Sequence, residues 1–81
     1  MEKEKLIEQL EQIYIETRDF IEDEQLAKMD TLSELYERNL NDITALRKIA
    51  KNYNRQQEKN KKELADLREL YNKFRTIIEQ M

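Results

Sequence analysis

Residues 32–81, LSELYERNLNDITALRKIAKNYNRQQEKNKKELADLRELYNKFRTIIEQM, carry an apolar rhythm that decides the fold. Leu32, Tyr36, Asn39, Ile43, Leu46, Ala50, Tyr53, Gln57, Asn60, Leu64, Leu67, Tyr71, Phe74, Ile78 and Met81 follow one another at alternating steps of four and three. Such alternation keeps one stripe of an α-helix turned toward a partner, and the chain has neither Gly nor Pro to interrupt it. The spacing predicts one long helix over residues 31–80.

Upstream, Leu6, Leu10, Ile13, Thr17 and Phe20 form a stripe with Ile7, Tyr14 and Ile21 immediately beside it. This predicts a shorter first helix over residues 4–24. Its apolar face is wider than a two-helix seam needs, which points to contact with more than one neighbour, as in a bundle. Carried backwards from Leu32, the later rhythm lands on Gln25, Glu22 and Arg18, so the two stripes do not join in phase. A turn over residues 25–30 reconciles them. Thr31-Leu32-Ser33-Glu34 has the spacing of a capping box and Asp30 offers an alternative cap. The fold class expected is therefore all-α: a helical hairpin, one domain over residues 1–81, with a short first helix and a long heptad-patterned second helix.

Residues 52–60, NYNRQQEKN, are the most polar part of the long helix, and Gln57 and Asn60 fall on its seam. Polar seam residues weaken a pairing locally while fixing its register or marking a bend. A bend or a loop near 52–60 is the alternative to continuous helix. At about 1.5 Å per residue the first helix spans roughly 30 Å and residues 31–81 roughly 75 Å, so one cannot cover the other. Leu64, Leu67, Leu70, Tyr71, Phe74, Ile77 and Ile78 are then left on an uncovered apolar face, the expected partner-binding surface. A second copy of the chain, a third helix folded back after the polar stretch, or a different protein would cover it.

The chain has no Cys and no His, which removes disulfides, thiolate metal sites and imidazole chemistry. No nucleophile-and-base set and no glycine-rich phosphate loop is present, so the expectation is a protein that is not an enzyme and holds no cofactor. Glu22-Asp23-Glu24, the densest carboxylate run, lacks the alternating ligands and the glycine of a calcium loop and reads as a solvated helix end. Charged residues make up 41% of the chain and hydrophobic residues 38%; because the latter are periodic, this is the balance of helices with charged outer faces rather than of disorder. The amino-terminal MEKEK and the amphipathic segment after it are neither a signal peptide nor a membrane span, and a cytoplasmic location is expected.

Net charge is −3, unevenly spread: residues 2–24 hold nine acidic and three basic side chains, and residues 47–62 one acidic and seven basic. The two segments attract, which helps orient helices against each other. Arg47, Lys48, Lys51, Arg55, Lys59, Lys61 and Lys62, with Tyr53 nearby, also suggest nucleic-acid binding as an alternative. The overall negative charge and the spread of these residues around the helix weigh against it.

The layout also resembles a known family. An N-terminal helix ending in an acidic stretch, a helix bearing Leu32, Leu35, Tyr36, Glu37 and Arg38 followed by Leu40 and Ile43, a polar segment and a final amphipathic helix are similar to the small flagellar export chaperones of the FliT and FlgN type. Arg38 stands where those proteins commonly carry an arginine, and Asn60 where the FlgN type often carries an asparagine before its last helix. The chain is shorter than usual and lacks their loop before the last helix and their extended tail. The resemblance implies a cytoplasmic chaperone in bacterial flagellum biogenesis, binding the C-terminal helical region of filament-cap or hook-filament junction subunits. A homodimeric coiled-coil scaffold or regulator is the second expectation, and in either case the chain completes a bundle as a dimer.

Overall fold

Asn39-Leu40-Asn41-Asp42 is where the chain reverses. The computed structural model describes residues 2–81, with α1 at Glu2–Arg38 and α2 at Ile43–Glu79, each 37 residues long. Asn and Asp side chains bond readily to nearby backbone, and this turn uses them at both of its ends. The Asn39 side-chain amide donates to the Leu35 carbonyl at 2.7 Å, satisfying an orphan acceptor at the end of α1. Asp42 caps α2: its carboxylate accepts from the Ala45 N–H at 3.1 Å while its carbonyl takes the first helical bond, from Leu46 N–H at 2.9 Å. No described residue has positive φ, so the turn closes without glycine.

The molecule is thus an all-α antiparallel hairpin, a ribbon 62 Å long and 16 Å wide. Its proportions differ from those expected. Residues 25–30 are helical, the first helix is not short, and the second begins at Ile43 rather than at residue 31. Thr31 lies inside α1, where its hydroxyl donates back to the Ala27 carbonyl at 3.0 Å, the behaviour of a threonine in a helix interior and not of a cap. Residues 52–60 are continuous helix within α2, neither bend nor loop.

The mismatch of phase has another cause. On α1 the half-buried seam residues are Ile7, Leu10, Tyr14, Thr17 and Ile21, then Gln25, Met29 and Leu32. Up to Ile21 the steps alternate three and four; from Ile21 to Leu32 they run four, four, three, an eleven-residue step. On α2 the seam runs Leu46, Ile49, Tyr53, Gln56, Asn60, Leu64, Leu67 and Tyr71, with an eleven-residue step from Tyr53 to Leu64. The Tyr14–Tyr71 ring contact and the Gln25–Asn60 hydrogen bond fix the register, which sets Ile21 opposite Leu64, Met29 opposite Gln56 and Leu32 opposite Tyr53. The two long steps therefore face each other. An inserted step of four locally unwinds a left-handed pairing without breaking either helix, so a change of heptad phase marks a stutter here, not a turn.

The stutter is also the polar centre of the seam. Gln25 donates through its side-chain amide to the Asn60 carbonyl at 3.2 Å, and Gln56 to the Asn60 side-chain oxygen at 2.7 Å. Gln56 occupies the seam and Gln57 is exposed, a one-position correction that the altered step produces.

Candidate functional site

Because the helices are equally long, α1 covers the seam of α2 to its end. Leu64, Leu67, Tyr71 and Ile78 are half-buried against α1, which corrects the expectation that they lie beyond its reach. Leu70, Phe74 and Ile77 do remain outward, at 51–56% exposure. The expected surface is thus split: four of its seven residues are seam, and three are not.

Where the outward three lie follows from helix geometry. In an antiparallel pair, residues that immediately precede the seam on one helix share an edge with those that precede it on the other, and residues that follow it share the opposite edge. In the half of the hairpin away from the turn, here the distal half, the following edge is polar. Glu11, after Leu10, and Arg75, one heptad beyond the Arg68 that follows Leu67, approach to 3.7 Å across the two helices. Tyr71, its ring 4.7 Å from that of Tyr14, donates its hydroxyl to Glu11 at 3.3 Å and accepts from Arg75 at 3.1 Å. The hydrogen bonds that Arg75 donates, to the Glu79 carboxylate first and to the Tyr71 hydroxyl second, hold its guanidinium above its ordinary, already high pKa. Arg18 sits 5.9 Å from the centre of the Tyr14 ring on this same edge.

The preceding edge of the distal half is apolar. Leu6, Ile13 and Phe20, spaced by seven, stand just before Ile7, Tyr14 and Ile21; Leu70 and Ile77 stand just before Tyr71 and Ile78, and Phe74 lies between them. These six side chains are 40–62% exposed. Leu6, Ile13 and Phe20 were legible as part of a wide stripe, but their joining with Leu70, Phe74 and Ile77 needed the register of the hairpin.

Past the polar centre the edges exchange character. The apolar edge continues toward the turn as a shallow hollow of about 400 Å³ bordered by Lys28, Asn52, Arg55 and Lys59. The opposite edge, charged in the distal half, opens near the turn into another hollow of about 400 Å³ among Leu32, Tyr36, Ile49 and Tyr53. The expected basic run therefore supplies two of the three cations of one hollow, Arg55 and Lys59, with Lys28 of α1 as the third and no carboxylate in the lining, while Arg47, Lys48, Lys51, Lys61 and Lys62 lie outside it.

Among the described residues no cluster of carboxylates is placed to hold a metal ion, and Glu22, Asp23 and Glu24 lie on successive, exposed positions of α1. No helix of the described chain is long and apolar enough to cross a membrane. No protein-family model matches the chain, and neither does any curated protein or solved structure.

Proposed function

We propose that this chain is a non-enzymatic helical interaction protein, a cytoplasmic chaperone that holds an amphipathic helix of a secreted or assembling client on the apolar edge of its distal half. One observation carries the reading. Leu6, Ile13 and Phe20 of α1 and Leu70, Phe74 and Ile77 of α2 together line one side of a two-helix ribbon, and each keeps about half of its surface exposed.

A third helix laid along that side would turn the pair into a bundle, inserting its i, i+4 and i+7 side chains between the rows of α1 and α2. Phe20 and Phe74 would be the strongest anchors, since aromatic side chains desolvated at the centre of such a contact dominate its energy. The charged distal edge, held by Glu11, Tyr71 and Arg75, keeps the opposite side wetted and so leaves one docking face. The resemblance to export chaperones supplies the client class: the C-terminal helix of a filament-cap or junction subunit.

A synthetic peptide of such a C-terminal helix, titrated into the protein and followed by calorimetry, tests this. Binding at micromolar affinity or better, weakened by at least about 50-fold in a Phe20→Ser/Phe74→Ser variant that keeps its helicity, is the expected result. Equal affinity of the variant and the parent protein would remove the apolar edge from the mechanism.

A further inference from the structure

No described side chain of the hairpin is fully buried. A single seam between two helices can do no better than half-bury its members, and 81 residues without disulfides sit near the size at which one core is marginal. The six apolar side chains of the distal edge expose on the order of 500 Å² per chain, the upper range for a patch on a lone protein. Two such faces brought together, with their rims, reach the roughly 1,200 Å² at which specific interfaces begin.

We propose that the free protein covers this edge with a second copy of itself, reversed end for end, so that the distal halves of two hairpins form a four-helix bundle and the two turns project from opposite ends. The inference deepens the reading above, because it rests on the same face being the working surface. What is new is the edge the second copy covers, its reversed orientation and the axis through Ile13.

Charge selects the orientation. Beyond the polar centre the same edge carries Lys28, Arg55 and Lys59, with no carboxylate in that lining. Copies lying with their turns at the same end would press these cations against their equivalents, which is costly in a desolvated interface. Reversed copies place the two basic hollows at opposite ends, where each stays in water. The overlap is then limited to the apolar half, and its length follows from the row Leu6, Ile13, Phe20. The two-fold axis passes at Ile13, so that Ile13 meets Ile13 of the second copy and Leu6 meets its Phe20.

The absence of cysteine makes the arrangement directly testable, since any introduced thiol is unique. Sedimentation equilibrium of the full chain should give a dimer at micromolar concentration. A short bismaleimide should link Ile13→Cys to itself efficiently, and link Leu6→Cys to Phe20→Cys in a mixture but neither variant to itself. Ile13→Glu, at an exposed position the single chain tolerates, should weaken dimerisation about 100-fold or more by holding two carboxylates together in an apolar contact. A monomer at all concentrations would overturn the proposal, and if it still bound the client peptide the chaperone reading would stand without it. A dimer in which Ile13→Cys links to Leu70→Cys and not to itself would place the turns at one end and equally overturn it. A dimer indifferent to both Ile13→Glu and Phe20→Ser/Phe74→Ser would remove the edge from both readings.

Discussion

The polar centre of the seam offers the sharpest quantitative test. Gln25 and Asn60 face each other at half-buried positions where every neighbouring layer is more apolar, and the bond between them, 3.2 Å long, ends on a carbonyl rather than on the Asn60 side chain. Replacing both by Leu half-buries two aliphatic side chains, a gain of about 1 kcal/mol each. The change from Asn to Leu adds a few tenths through helix propensity. Against this stands the loss of two hydrogen bonds, the Gln25–Asn60 bond of about 1 kcal/mol and the Gln56–Asn60 bond, between side chains one helical turn apart, of about 0.2–0.5 kcal/mol. The net expectation is a stabilisation of roughly 1 kcal/mol, or a rise in Tm of about 4–8 °C for a chain of this size. Thermal circular dichroism at one fixed protein concentration reads it, since association would shift Tm by mass action. A fall in Tm of several degrees would show that Gln25, Gln56 and Asn60 act as a cooperative network whose worth exceeds its separate bonds, and would refute the reasoning. The polar layer is retained, on this argument, for register and not for stability: without it the opposed eleven-residue steps lose the one layer that can pair in a single way.

Two further outcomes bear on the turn. Asp42→Ala should cost about 1 kcal/mol, seen as a urea midpoint shifted down at unchanged m value, because it removes the acceptor for the Ala45 N–H. Thr31→Pro should cost about 3 kcal/mol or more by breaking the middle of α1, whereas two glycines inserted between Leu40 and Asn41 should cost under about 1 kcal/mol; the opposite ranking in helicity and thermal stability would move the turn back to residues 25–30.

The all-α hairpin was legible because a stripe of apolar residues without Gly or Pro admits little else. Its turn was not, for two physical reasons. Asn39 fits the seam rhythm as well as it fits a helix end, and a rhythm that continues through a turn hides it; the signal was the Asn-Leu-Asn-Asp run itself, three Asn or Asp residues in four. Thr31-Leu32-Ser33-Glu34 imitates a helix start, yet a capping box needs free N–H groups, and those of residues 31–34 are already bonded inside α1. The change of phase at Gln25 marks a stutter and not a turn, and the two leave the same trace in one helix. Only the second helix distinguishes them, by carrying its own eleven-residue step from Tyr53 to Leu64 in the opposing place. The position of the turn decides the candidate surface as well: a short α1 would leave Leu64, Leu67, Tyr71 and Ile78 uncovered, and the 37-residue α1 covers them.

What a hairpin without a buried core implies is that its folding and its binding are not separate events. If half of each apolar row is satisfied only by another chain, the stability of the helices, the occupancy of the distal edge and the protein concentration are tied together. A client helix arriving at that edge must then displace the second copy, and its apparent affinity falls as the protein becomes more concentrated, because the competent single hairpin becomes a smaller fraction of the total. Such competition would keep the face covered when no client is present, which would limit its adhesion to unrelated apolar surfaces, and would release two binding-competent hairpins for each dimer opened. In that scheme the basic hollow bordered by Lys28, Arg55 and Lys59 would stay in water in both states, so that its charge would oppose pairing of the turn-proximal halves whether or not a client is held.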